Sequence, residues 1–441
     1  MIQSHSDQHL SRKEIFRTWW PLAASWVLMA VELPAVSAAM GHMLNPQISL
    51  AAWGGIVFPL SLLIEAPVIM LLAASTALSK NYQTYQRVRG YMMVLGGTLT
   101  ALHILVAFTP LYEVVVVDIM KQPEVIIEPA RIGLQLMTPW TWSIAYRRFN
   151  QGVLIRFGHS RAVSIGTAVR LTADLSILIV GVRWGTIQGV AVAGAAVGMG
   201  VISEAVYTGL RVRSVVNGPL RAAPPPENPL TLPRFLSFYI PLALTSLIVM
   251  IYMPIGSAAM GRMPRALDSL AVWPVVSGLV FIFRSLGVAF NEVVVALLDE
   301  PGAVPQLRRF TALLAASVTG LLFLIAATPL SRLWLVDVSA LPADLADLGQ
   351  MALWIALPVP AFNTLQSWFQ GNLVNAERTR GVTESVAISL LISLVVLYLG
   401  TQADDIVGLY VAWAAFMLGS GGQAAWLWWR SHHVVAAKEA G

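Results

Sequence analysis

Apolar runs long enough to cross a bilayer recur along almost the whole chain, and this feature constrains the fold more than any other. A hydrocarbon core about 30 Å thick holds no water for exposed amides, so a spanning segment must satisfy its own backbone, which takes roughly 20 apolar residues in a helix. Reading the runs between charged or Pro/Gly-marked breaks predicts twelve spans, near residues 17–41, 49–78, 89–111, 131–156, 161–183, 188–211, 235–261, 269–298, 309–331, 347–375, 381–401 and 405–430. Of the 441 residues only 12% are charged, against about 25% in an ordinary soluble domain. A water-soluble fold is excluded. The chain has no cysteine, which removes disulfides, thiolate metal sites and cysteine nucleophiles.

The basic residues sit in short segments between the apolar runs, where membrane topology accounts for them, so the formal charge of +5 does not point to nucleic acid. With the N-terminus inside, most of the 28 Lys and Arg fall on the cytoplasmic side, among them Lys80, Arg87, Arg89, Arg156, Arg161, Arg211, Arg213, Arg308 and Arg309. The acids Glu113, Asp118, Asp337, Asp344 and Asp404 fall in the outer loops. The expected location is the cytoplasmic (inner) membrane, multi-pass, with both termini cytoplasmic. Met1 to Arg17 is polar and carries no cleavable signal pattern.

An internal repeat organises the chain. Pro21-Leu22-Ala23 returns as Pro241-Leu242-Ala243, and the run from Ser37 to Met43 returns as Ser257 to Met263 with one change, both at a displacement of 220. Thr109-Pro110-Leu111, Asp118, Pro123 and Pro139 answer Thr328-Pro329-Leu330, Asp337, Pro342 and Pro358 at 219, as do Gln151-Gly152 and Gln370-Gly371, and Arg161 and Arg380. Six spans is an even number, so the second copy enters the membrane in the same direction as the first and the repeats are parallel. The expected organisation is a six-helix bundle at 1–214, a proline-rich cytoplasmic linker at 215–233 containing Pro224, Pro225, Pro226 and Pro229, and a second six-helix bundle at 234–441.

Several of these residues resemble the multidrug, oligosaccharidyl-lipid and polysaccharide (MOP) exporter superfamily, which includes the MATE transporters and the lipid II flippases. The resemblance is carried by Pro21-Leu22, by Phe235-Leu236-Ser237-Phe238 leading to Pro241-Leu242, by the acid in span 1, by the passage from Gln151-Gly152 to Arg161, and by Asn291-Glu292. Within the superfamily the chain looks most like the progressive ankylosis protein family. The resemblance is diffuse and covers most of the chain. It implies an all-α protein of about twelve transmembrane helices in two parallel six-helix bundles, a V-shaped central cavity and alternating access. It also implies export of small organic or phosphate-bearing anions for members near the ankylosis protein, and cation-coupled drug export for MATE members. Span 7 has no charged residue from Phe235 to Gly261, which departs from the sodium-coupled drug exporters. The major facilitator fold also has parallel six-span halves, but its signature loop is missing from Ser79-Lys80-Asn81-Tyr82-Gln83.

Ionisable residues inside the spans mark candidate sites, because each costs at least about 2.5–3.5 kcal/mol at mid-membrane and so needs a partner, a wet cavity or a function. Glu32 lies two residues before Pro34, which removes a helix hydrogen bond and provides a bend. Glu65 stands in the same relation to Pro67, and two neighbouring carboxylates favour proton exchange. These two acids and Asp174 are candidates for holding a coupling H+ or Na+. Arg170 and Asp174, four apart, share a helix face, where an internal salt bridge competes with function. Glu204 and Glu292 lie nearer the cytoplasmic ends, where snorkelling competes with a role. Arg284 near mid-span 8, with Arg147, Arg148 and Arg170, forms a guanidinium set suited to phosphate or carboxylate, and Glu292 joins the substrate-binding candidates through the resemblance. His103 is lone and expects a packing role.

The expected function is secondary active transport of an organic anion or phosphate-bearing small molecule. A cation-coupled drug exporter and a flippase of a lipid-linked substrate are the alternatives. An embedded enzyme would need clustered acids or His/Asp/Glu pairs at helical spacing. Only Asp404-Asp405 looks similar, without a third acid. No catalytic residue, metal site or cofactor is therefore assigned. The expected partners are membrane lipid and a small-molecule or lipid-linked substrate, with the protein itself a monomer.

Overall fold

A computed structural model describes residues 10–225, 228–376, 378, 380–403 and 405–440. Asp404, Pro226 and the first nine residues, to which topology assigned places, lie outside these. Twelve long helical spans follow one another: Arg12–Gly41, Pro46–Leu78, Tyr82–Phe108, Glu124–Leu136 continued by Thr138–Arg156, Ser160–Trp184, Gly189–Ala222, Leu232–Met260, Ala266–Leu297, Ala303–Ala327, Ala343–Asn375, Arg380–Thr401 and Gly408–Ala440. Among the described residues there is no strand, only an isolated bridge between Leu44 and Gln188.

Ten of the spans are long and apolar enough to cross a membrane by length and composition. Span 4 falls short because it carries Arg131, Arg147, Arg148, Asn150 and Gln151, and span 12 because glycines, Ser420 and Gln423 dilute it. Large apolar side chains stay exposed along the spans, as on span 3 at Met93, Val94, Leu102, Ile104, Leu105 and Phe108, which suits a hydrocarbon surround.

Two boundaries differ from the apolar-run reading. Span 3 begins at Tyr82 rather than near residue 89, because Asn81 and Thr84 form a reciprocal cap: Thr84 N–H donates to Asn81 Oδ1 at 3.0 Å, and Asn81 N–H donates to Thr84 Oγ1 at 3.2 Å. The charges of Arg87 and Arg89 had hidden this turn. The segment after span 3, expected as loop, is helical through Leu111–Glu113 and a π-helical turn at Val114–Ile119.

The repeat is written into the backbone. The π-helical turn recurs at Leu333–Val338, at the displacement of 219. Among the described residues the non-glycine positions in the left-handed region are Asn45, Lys121, Arg265 and Ala340, with φ of 51°, 53°, 56° and 51°. They form two repeat pairs, Asn45 with Arg265 and Lys121 with Ala340. Span 1 breaks at Val31 and span 7 at the equivalent Ile251. Proline three residues later has no N–H to donate to the carbonyl of Ala30 or Met250, so the helix ladder is interrupted at the same place in both copies. Span 4 breaks at Met137 before Pro139, and Thr138 Oγ1 donates to Gln135 O at 2.6 Å, filling the acceptor that Pro139 leaves open.

The described chain packs as two compact units that do not follow the order of the spans. One holds the residues up to Pro34, Met263–Arg265 and everything from Val272. Within it Ile15, Trp19 and Ala23 share a core with Phe290, Val293, Phe310 and Leu314, and Trp19 Nε1 donates to Leu286 O at 3.0 Å. The other holds Ala35–Arg262 and Ala266–Ala271. There span 7 is tied to span 2, with Tyr239 Oη donating to Pro67 O and Ser257 Oγ donating to Gly55 O.

Candidate functional site

The charged side chains that are fully buried among the described residues are Glu65, Arg147, Arg170, Asp174 and Glu204, and all lie in the second of these units. Glu204 is the hub. It has no exposed surface, accepts from Arg147 Nη1 at 2.7 Å and from Gln151 Nε2 at 2.9 Å, and lies 3.7 Å from Arg170 Nε. Its carboxylate thus joins spans 4, 5 and 6. A reading in which Glu204 snorkels toward the helix end is corrected by this burial. One helix turn after Arg170, Asp174 is buried against span 6 at Gly200, where a Cβ would stand 1.6 Å from Asp174 Oδ1. Only glycine admits the carboxylate there.

Arg148 differs from its neighbours. Its Nε is buried without an acceptor while the side chain as a whole is only half-buried. Among the described residues no carboxylate comes within ion-pair distance of it. It feels Glu65 and Glu204 as attracting charges, and Arg147 and Arg170 as repelling ones, only over longer range. Arg147, Arg148, Arg170, Glu65, Asp174 and Glu204 therefore form one electrostatic cluster. Span 4 is held to span 2 beside it: Ser75 Oγ donates to Phe149 O at 2.7 Å and Thr76 Oγ1 to Gly152 O at 3.1 Å. The Gln151-Gly152 passage accordingly has a double use, Gln151 on Glu204 and Gly152 in close packing.

The second half builds the same scaffold without charge. Gly419, the counterpart of Gly200, receives Ser393 in place of Asp174, with a Cβ placed 2.3 Å from Ser393 Oγ. The counterparts of Arg147, Arg148, Arg170, Glu204 and Glu65 are Gln366, Ser367, Ser389, Gln423 and Ser285. Every charged position of the cluster is neutral in its repeat partner.

Of the remaining candidates, Glu32, Arg284 and Glu292 belong to the other unit. Glu32 opens the second segment of span 1, half-buried at the break. Arg284 Nε donates to Asn363 Oδ1 at 2.8 Å and its guanidinium lies 4.7 Å from the centre of the Phe416 ring. Asn363 passes the chain on to Gln366 at 2.9 Å, and Gln366 to Ser420 O at 2.8 Å. Glu292 is exposed. His103 is fully buried, with Nδ1 2.9 Å from Thr141 Oγ1 and Nε2 3.1 Å from Leu134 O. A carbonyl only accepts, so Nε2 carries the proton and Nδ1 accepts from the hydroxyl. His103 ties span 3 to span 4.

No protein-family profile and no curated protein matches the chain by sequence. Solved structures do match. The chain is similar to an inward-facing MATE multidrug-resistance transporter of the MOP superfamily, with a TM-score of 0.71 at 13% identity over 94% of this chain and 96% of that one. It is similar to the lipid II flippase MurJ in an inward closed conformation, with a TM-score of 0.70 at 13% identity over 93% of this chain and 87% of that one. A MOP-superfamily transporter from Pyrococcus furiosus, whose binding pocket is described as reversed in polarity, gives 0.63 at 14% identity over 97% and 96%. The chain shares the fold of these structures. Within this fold the charged cluster belongs to the first copy of the repeat alone.

Sequence reasoning named five of the six cluster members as site candidates and set Glu204 aside. Extending the repeat register past Arg161 into spans 5 and 6 exposes the missing signal. Asp174 and Glu204 fall opposite Ser393 and Gln423 while Gly200 stays glycine at Gly419, so the charge is an addition to a conserved packing site.

Proposed function

We propose that this chain is a secondary transporter working by alternating access, and that the group it recognises is anionic, carried by an organic acid or a phosphate-bearing molecule. Its place is the cytoplasmic membrane with both termini inside, and its movement is coupled to H+ or Na+. The MOP fold supports transport. Arg148 carries the choice of sign: a guanidinium keeps its charge in a protein, and this one is set in a membrane span with a partly open side chain and no acid at ion-pair distance. Planar guanidinium donors fit carboxylate, sulfonate and phosphate oxygens in pairs. Span 7 offers no acid to a cationic drug.

The test is thermal stabilisation of the purified protein by matched probes: benzenesulfonate, benzoate and phenyl phosphate against benzylammonium and phenyltrimethylammonium. Farnesyl diphosphate forms a separate arm for a lipid-linked anion. Anions are expected to stabilise the parent and Arg284→Gln, and to lose their effect in Arg148→Gln. Stabilisation by the cations alone, unchanged in Arg148→Gln, overturns the anion reading in favour of a drug exporter. Stabilisation by farnesyl diphosphate and none of the soluble anions assigns the anionic group to a lipid.

A further inference from the structure

The segment that joins the two halves is held against span 3. Leu220 and Leu230 within it are buried, and Pro229 and Leu230 close one side of a polar cavity of about 390 Å³ whose other walls are Gln83, Thr84, Gln86 and Arg87. The Asn81 cap starts the helix at Tyr82, so Gln83, Gln86 and Arg87, spaced i, i+3 and i+4, share one face. All three are exposed, while Tyr85 and Val88 on the other face are buried. Arg221, early in the linker, lies with its guanidinium 5.1 Å from the centre of the Tyr82 ring and brings a second cation to the same turn. Among the described residues no acid stands within ion-pair distance of Arg87.

Depth along span 3 identifies what reaches this cavity. The exposed large apolar side chains of the span begin at Met93 and end at Phe108, which places that stretch in hydrocarbon. Arg87 precedes Met93 by six residues, about 9 Å along a helix rising about 1.5 Å per residue. Headgroup layers extend roughly 5–8 Å beyond each face of the hydrocarbon. The guanidinium and the two carboxamides therefore stand at the level of the lipid phosphates, on the side of the membrane where the first span begins. Membrane orientation is served by a charge that both halves carry: at the displacement of 219 buried Val88 answers buried Leu307 and exposed Arg89 answers exposed Arg308. Arg87 answers Gln306. Its charge is an addition of the first half, and it faces the cavity.

We propose that the cavity holds the phosphate-bearing headgroup of an anionic phospholipid, with Arg87 as its counter-charge. A guanidinium offers paired N–H donors to phosphate oxygens. Gln83 and Gln86 each add an amide donor and a carbonyl acceptor, which suit the phosphate and the hydroxyls of a glycerol-type headgroup. A phosphocholine lacks those hydroxyls and neutralises its own phosphate. The volume lies at the small end of ligand pockets, roughly 300–1,000 Å³, and suits one headgroup whose acyl chains run along the apolar side of span 3. None of the lining residues belongs to the buried charged cluster, so the site does not depend on the transported substrate. A bound headgroup bridges Arg87 and the wall at Pro229 and Leu230, and so ties the segment between the halves to span 3.

The test is the melting temperature of the full-length protein in dodecyl maltoside, titrated separately with dioleoyl phosphatidylglycerol, dioleoyl phosphatidylcholine and glycerophosphate. Phosphatidylglycerol is expected to stabilise the parent and Arg89→Gln alike, and its half-effect concentration to rise at least about fivefold in Arg87→Gln. Phosphatidylcholine and glycerophosphate are expected to have little effect at the same concentrations. Gln83→Ala with Gln86→Ala is expected to weaken the response to phosphatidylglycerol at unchanged net charge, which a diffuse attraction would not reproduce. Equal responses in Arg87→Gln and Arg89→Gln overturn the site and leave only the general attraction of a basic surface for anionic lipid. Stabilisation by glycerophosphate as strong as by phosphatidylglycerol overturns the assignment to lipid in favour of a soluble phosphate ester. A parent that responds equally to phosphatidylglycerol and phosphatidylcholine overturns the proposal outright, even where a variant does not fold.

Discussion

Substitution of Glu204 by glutamine tests the charged cluster most directly. The carboxylate takes hydrogen bonds from Arg147 at 2.7 Å and Gln151 at 2.9 Å and stands 3.7 Å from Arg170, with none of its side chain exposed. A glutamine keeps the shape but leaves Arg147 without its counter-charge and removes the attraction on Arg170. Losing one partner of a buried pair costs about 3–5 kcal/mol, because the other charge stays behind in low dielectric. The same change at Glu384 makes the contrast. Glu384 is shared by Arg380 and Arg430, each at 3.1 Å, and accepts from Trp426 Nε1 at 3.3 Å, but its side chain is 29% exposed and those of the two arginines 88% and 37%, and solvent-exposed pairs contribute about 0.2–1 kcal/mol each. The repeat suggests the compensating variant, since Gln366 and Gln423 stand where Arg147 and Glu204 stand in the first half. Arg147→Gln with Glu204→Gln is therefore expected to be less destabilised than Glu204→Gln alone, a coupling of at least about 1 kcal/mol between residues in contact. The assay is reversible unfolding by sodium dodecyl sulfate in mixed micelles, followed by the fluorescence of the 15 tryptophans. A Glu204→Gln midpoint indistinguishable from that of Glu384→Gln, or a double variant at the sum of the singles, refutes the argument that a buried ion pair organises spans 4, 5 and 6.

Glycine positions give a second test: Gly200→Ala and Gly419→Ala place a Cβ 1.6 Å from Asp174 Oδ1 and 2.3 Å from Ser393 Oγ and are expected to lower thermal stability sharply. Gly320→Ala, with nothing within 4 Å, is expected to raise it by roughly 0.5–1 kcal/mol through helix propensity; equal effects at the three sites refute the close-approach argument. Thr141→Val removes the hydroxyl that donates to His103 Nδ1 at 2.9 Å and is expected to destabilise by about 1–3 kcal/mol, whereas an unchanged unfolding midpoint makes that bond dispensable. Cysteines placed at Asn45, Glu124 and Asp344 are expected to label from outside the cell, and those at Tyr82, Pro225 and Ser431 only after permeabilisation; reversed labelling of either half defeats the parallel-repeat topology. Glu32→Gln is expected to abolish gradient-driven uptake of benzenesulfonate into proteoliposomes with expression intact, and unchanged transport with an unchanged pH profile removes Glu32 from the coupling machinery.

The sequence by itself determined the class and the duplication of this protein. Helices were unavoidable because lipid offers no partner to the backbone, and displacements of 220 and 219 were readable wherever proline, glycine or an unusual turn forces one backbone geometry. The Pro34/Pro254 breaks and the Asn45/Arg265 pair behave as that register requires. Span ends were less legible where polar residues serve structure: the Asn81 cap extends span 3 under Arg87 and Arg89, and span 4 is too polar for a hydropathy window. Tertiary structure alone decided which buried charges meet. Arg147 and Glu204 are far apart in sequence, and only the packing of span 6 against spans 4 and 5 turns an acid that reads as snorkelling into the centre of a cluster. Packing also decided that the first stretch of span 1 shares a core with Phe290 and Phe310, and that span 7 is bonded to span 2. Periodicity records which face of a helix is apolar, and it does not record which neighbour that face will find. The same physics separates Arg148 from Arg147: adjacent in sequence and identical in chemistry, they point about 100° apart around the helix, so one meets Glu204 and the other stands without a contact acid.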